Sequence, residues 1–158
     1  MQLIVITIGL CITYFALIYT LGYFFENRFP KIPKRAPLSV ALIFIMSMAS
    51  YQIAFAFSNP DLSNRVLHGL GGGFVAFLVC FLAARDIGLK INRFQFFFIS
   101  FLLVAFLGVA NEILECILQV SFNLQFAPSI RDTWYDLISN TIGTLTAALI
   151  SVPFFKNK

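Results

Sequence analysis

Five long apolar runs dominate this chain and restrict it to one kind of solvent. Residues 2–25, 38–58, 65–84, 94–119 and 133–155 are each long enough, at about 1.5 Å of rise per helical residue, to cross about 30 Å of hydrocarbon. With 59% hydrophobic and 11% charged residues in a length of 158, there is more apolar surface than a soluble core of that size can hide. A bilayer offers no water to a backbone N–H or C=O, so each run must satisfy its own hydrogen bonds as a helix. The expected fold is all-α: an integral membrane bundle of five transmembrane helices, forming a single domain over residues 1–158. The 20 phenylalanines can face acyl chains or pack between helices, and so carry no cofactor signal.

Charge sets the orientation. Arg28, Lys31, Lys34 and Arg35 fall between the first two spans, Arg85, Lys90 and Arg93 between the third and fourth, and Lys156 and Lys158 at the C-terminus. Only Arg65 and Arg131 lie at the other side, so the positive-inside rule predicts the N-terminus outside and the C-terminus cytoplasmic. The segment 121–132 is too apolar for a freely solvated loop, and Trp134 with Tyr135 follows it, so it is expected along the outer interface. The first span lacks a basic n-region and a small-residue cleavage pattern, which reads as a retained helix rather than a signal peptide. A multi-pass location in the cell membrane is expected.

Several classes of function fall away. The net charge of +4 arises in short connections and not along one face, so nucleic acid is not an expected partner. Cys11, Cys80 and Cys116 sit in apolar runs with no CxxC or Cys/His spacing. The run Gly69 to Gly73 follows no strand, which argues against a dinucleotide loop. It forms a GxxxG pair continued by Ala76, and Ser139, Gly143, Ala147 and Ser151 make a second small-residue stripe, both suited to close helix packing. No Ser or Cys stands in a nucleophile elbow, and Ser139 belongs to the packing stripe. No internal repeat suggests an inverted-repeat transporter.

The polar residues of the last three spans gather near one end. The third carries Asp61, Asn64, Arg65 and His68 on adjoining turns; the fourth carries Asn111, Glu112, Glu115 and Gln119; the fifth carries Arg131, Asp132, Asp136 and Asn140. Ionisable groups are expensive in hydrocarbon, so each marks a candidate site. The inner halves of these spans hold no Asp, Glu, Lys, Arg or His between the loop charges, which weakens a proton or ion conduit.

His68 alone reads more readily as a buried histidine satisfied by a neighbour than as a ligand or a catalyst. Beside Glu112, Glu115, Asp132 and Asp136 it becomes a candidate for acid–base work, while the same set reads as a structural network that locks helix register. His68, Glu112, Glu115 and Asp136 also suit a divalent metal, although their spacing is not diagnostic. Arg65 and Arg131 read either as snorkelling residues paired with local acids or as a grip for an anionic group.

These motifs carry a resemblance. Asn64-Arg65-Val-Leu-His68 before a glycine-rich helix, Glu112-Ile-Leu-Glu115, Arg131, and Asp136-Leu-Ile-Ser-Asn140-Thr-Ile-Gly143 together resemble the VanZ-like membrane family over residues 61–150. Asn64 stands where that family usually has Asp, with Asp61 one turn away, and Glu115 stands where it has Gln. The extra acid also resembles the YjdF-like membrane proteins. The first two spans match neither. The VanZ-like resemblance implies a bacterial inner-membrane location and an envelope role associated with lowered susceptibility to teicoplanin-type glycopeptides, without a settled reaction.

The expectation is a pocket facing outward that binds or modifies an amphiphilic envelope molecule, a membrane lipid or a lipid-linked one. Arg65, Arg131, Asp132, Asn140 and Asn64 would bind it, and His68, Glu112, Glu115 and Asp136 would act on it. Two other readings stay open: a transporter or flippase component, and a structural module whose polar cluster only locks packing. A divalent metal is the one candidate cofactor, and the oligomeric state is open.

Overall fold

The computed structural model describes residues 2–27, 29–122 and 129–155. Arg28, Lys156 and Lys158, and residues 123–128 of the segment expected along the outer interface, lie outside the described residues. Every regular element described is helical. Five rods are long and apolar enough to cross a membrane, as the sequence predicts. They are α1 (Gln2–Glu26), α2 (Ala36–Phe55), α3 (Pro60–Ile87), α4 (Arg93–Phe122) and α5 (Ile130–Ser151), the last followed by a 3₁₀ turn over Val152–Phe154.

The boundaries differ from those read from hydropathy because capping chemistry sets them. α3 begins at Pro60 and not at 65: the Asn59 side chain accepts from the Leu62 amide at 3.1 Å, and Pro60 occupies a first-turn position where no amide hydrogen is needed. Asp61 and Asn64 are therefore helical. α5 starts early for a similar reason, with the Ser129 hydroxyl accepting from the Asp132 amide at 3.3 Å. Its far end stops at Ser151, beyond which Pro153 cannot continue the ladder. At the other end of α3, Arg85 and Asp86 belong to the last helical turn and not to a loop, which Gly88 closes with φ of 65°.

α3 is the central rod, with half of its apolar window buried where the other four bury between 22% and 33%. It is α-helical over Pro60–Leu67, π-helical over His68–Val75, and α-helical again over Ala76–Ile87. The wider turn falls on the glycine-rich run, where absent side chains let another backbone come close. The approach is tight on both sides: a Cβ on Gly143 would collide with the Gly69 carbonyl, and one on Gly73 with the Asn140 carbonyl. Small residues thus bring α3 and α5 together, as the two stripes imply.

Two polar ends result. At the basic end, Arg93 Nε donates to the Phe155 carbonyl at 3.0 Å, tying α4 to the end of the chain. Nearby, the fully buried carboxylate of Asp86 accepts from Tyr14 of α1 (2.7 Å), Ser39 of α2 and Arg85 (3.0 and 2.9 Å). Charge bias assigns this end to the cytoplasm. Large apolar side chains such as Phe24, Phe106, Leu149 and Trp134 point outward, as a lipid-facing surface requires.

Candidate functional site

The opposite end holds the polar residues of α3, α4 and α5, and the fold brings most of them into one cluster. Asn64 Nδ2 donates to both carboxylate oxygens of Asp136, at 3.1 and 3.2 Å. Asp136 is 2% exposed, and its Oδ2 lies 3.5 Å from His68 Nε2. Across the site, His68, Glu112 and Glu115 each offer a ligand atom, and these atoms lie within 4.8 Å of one another. Glu115 accepts from the Asn111 amide at 2.7 Å. Asp132 is near enough to act electrostatically on His68 and Asp136.

Helix geometry explains this convergence. Glu112 and Glu115 lie one turn apart on α4, Asp132 and Asp136 one turn apart on α5, and Asn64 and His68 one turn apart on α3, so each rod presents two groups inward. His68 is the first residue of the π-helical stretch, whose widened turn resets the direction of the side chains around it.

Glu112 is the most unusual member. It is 8% exposed, yet neither carboxylate oxygen has a hydrogen-bond partner among the described residues. Thr133 and Asn111 are donors in its neighbourhood but fall outside bonding geometry. An ionised carboxylate held this way costs several kcal/mol unless something pairs with it. Asn140, also buried, leaves its Oδ1 unpartnered. That atom faces Gly72, where a Cβ would collide with it.

The arginines depart from the local-pairing expectation. Among the described residues neither Arg65 nor Arg131 makes an ion pair with an acid; both converge on Tyr135. The Arg65 guanidinium sits 3.8 Å from the centre of the ring, and Arg131 donates to the hydroxyl from Nε (3.2 Å) and Nη2 (2.8 Å). Tyr135 is a site residue that sequence reading treated only as an interfacial aromatic. Its position four residues after Arg131 was the available signal. Asp61 is exposed and stands outside the cluster.

Below the polar groups, α4 and α5 part to form a cavity of about 130 Å³ walled by Phe101, Val104, Gly108, Leu137, Asn140 and Thr144, among others. Gly108 lies one turn below Glu112 and Asn140 one turn below Asp136, so polar site and apolar cavity share the same pair of helices. Asn140 borders both.

No curated protein and no solved structure matches this chain. A match to one family, DUF2238, described as a predicted membrane protein, runs over residues 2–157, whereas the VanZ-like likeness rests on the motifs of residues 61–150. Because that match takes in all five helices and both polar ends, the chain belongs to the DUF2238 membrane protein family.

Proposed function

We propose that this multi-pass membrane protein binds an amphiphilic cell-envelope molecule that enters from the outer leaflet, and that His68, Glu115 and Asp136 do acid–base or metal-assisted work on it. The observation that carries this reading is the pair of guanidiniums, Arg65 and Arg131, held on Tyr135 with no direct ion pair to a carboxylate among the described residues, Arg65 acting on Asp136 only from a distance. A cation fixed by an aromatic ring and a phenol oxygen keeps its charge available to an anionic head group. The cavity between α4 and α5 supports the apolar half of the ligand, since it lies along the same two helices.

The carboxylates and the imidazole supply proton donors and acceptors within reach of a head group held by the arginines. The VanZ-like resemblance favours a cell-wall or envelope amphiphile over an ordinary bilayer lipid. A transporter reading lacks support from the basic end, where the buried Asp86 is fully occupied by Tyr14, Ser39 and Arg85.

The test is binding of anionic lipid and of a lipid-linked cell-wall precursor to the full chain in nanodiscs of zwitterionic lipid. Arg65→Ala and Arg131→Ala should each weaken binding, and the double variant should abolish it. Expression in a glycopeptide-susceptible bacterium should raise tolerance to teicoplanin, with His68→Ala and Asp136→Ala losing that effect. Undiminished binding in the double arginine variant would remove the reading.

A further inference from the structure

We infer that His68, Glu112 and Glu115 form a binding site for one divalent transition-metal ion, of the Zn²⁺ or Mn²⁺ class. The first observation is geometric: one imidazole nitrogen and two carboxylate oxygens, from α3 and α4, lie within 4.8 Å of one another. Ligand atoms at about 2.0–2.2 Å from a common ion stand roughly 2.8–3.6 Å apart at octahedral to tetrahedral angles. Closing from the observed spacing needs an inward movement of the side chains of about 1–2 Å.

The second observation is independent of the clustering. Glu112 is 8% exposed and has no hydrogen-bond partner on either oxygen among the described residues. A buried carboxylate in that position is satisfied either by a proton or by a cation, and a second carboxylate beside it, Glu115, favours a cation that serves both. The protein's own nearby cations do not provide it, because Arg65 and Arg131 are engaged with Tyr135. A metal ion between Glu112 and Glu115 would neutralise both acids at once.

Two further features fit a metal centre. Asp136, 3.5 Å from His68 Nε2 and steadied by Asn64, would orient the imidazole of an ion bound through Nδ1. The donor set of one imidazole and two carboxylates favours Zn²⁺ or Mn²⁺ over Cu⁺, which prefers thiolate and thioether sulfur, and over Mg²⁺, which prefers oxygen alone. Three protein ligands leave further coordination positions open to water or to an exogenous group.

The inference does not depend on the amphiphile reading, since the metal alone is the probe. The full chain, purified in detergent and stripped with a chelator, is titrated with Zn²⁺ and Mn²⁺ by calorimetry, and bound metal is counted by mass spectrometry. One ion per chain is expected, with affinity lowered at least about tenfold in Glu112→Gln and His68→Ala and about 10–100-fold in Asp136→Asn. Tyr14→Phe, at the basic end, should bind the ion as the parent does. If the ligand variants fail to fold, Co²⁺ titration of the unmodified chain decides: visible bands of a low-symmetry nitrogen–oxygen site support the inference, and the spectrum of aqueous Co²⁺ overturns it. Absence of stoichiometric metal in the parent, or undiminished binding in folded Glu112→Gln and His68→Ala, also overturns it. Metal binding without amphiphile binding would sink only the preceding reading; the reverse result would sink only this one.

Discussion

Asn64 holds Asp136 by both oxygens, at 3.1 and 3.2 Å, across a separation of 72 residues. The contact joins the first turns of α3 to α5 where the polar cluster begins, and it is the principal neutral support of a carboxylate that is 2% exposed. Asn64→Ala should therefore cost about 1–3 kcal/mol, the range for leaving a buried acceptor without its donor. Thermal unfolding in detergent measures this. Asn64→Asp should be at least as damaging, because it sets a second carboxylate against the first, and an unchanged melting temperature in both variants would show that the bond does not support the fold.

Gly143→Ala should destabilise the bundle by about 1–3 kcal/mol, since the added Cβ meets the Gly69 carbonyl and the two backbones must separate. Gly9→Ala is the matched control: nothing lies within 4 Å of a Cβ there. Thermal melts of the two variants should differ clearly, with Gly9→Ala near the parent or slightly above it.

Tyr135 should be separable into ring and hydroxyl. Tyr135→Phe removes the acceptor of both Arg131 bonds and leaves Arg65 over the ring, so affinity for an anionic amphiphile should fall roughly threefold. Tyr135→Ala frees both guanidiniums and should cost roughly tenfold or more. Equal effects in the two variants would show that the ring contributes nothing.

At the basic end, Asp86→Ala should lower stability by about 2–4 kcal/mol, because it leaves Arg85, Tyr14 and Ser39 without their shared acceptor. Tyr14→Phe should cost about 1 kcal/mol. Binding at the far end should be preserved in the folded protein, so a specific loss of metal or amphiphile binding in Tyr14→Phe would mean that the two ends are coupled.

The orientation is directly measurable. In a cysteine-free background, Ser58→Cys, between α2 and α3, should react with a membrane-impermeant maleimide added to intact cells, while Ile32→Cys should react only after permeabilisation. The opposite labelling pattern would invert the assignment.

Much of the architecture was legible in the residues. Run length gave five spans, and helical spacing put Glu112 with Glu115 and Asp132 with Asp136 on single stripes. Other features were not legible, each for a local reason. Asn59 and Pro60 start α3 by capping, which a hydropathy window cannot see, so the apolar run placed the start of the span at residue 65 although Asp61 and Asn64 share its helical turns. Asp86 lies beyond the apolar run that ended at residue 84, and only the structure shows that helix α3 runs past it and buries its side chain completely. The glycine run announced close packing but not the π-helical turn, which depends on what packs against it.

The sequence by itself determined the helix count, the basic and polar ends, and the set of residues that share a depth. Those follow from hydrophobic length, charge bias and periodicity, all of which are properties of short stretches. Only the tertiary structure decided the partners: Asn64 for Asp136, Tyr135 for both arginines, and no hydrogen-bond partner among the described residues for Glu112. Partner choice depends on how each helix is rotated about its own axis and how closely its neighbour approaches. In this bundle those quantities are set at Gly69, Gly73 and Gly143, where backbone meets backbone across residues far apart in the chain.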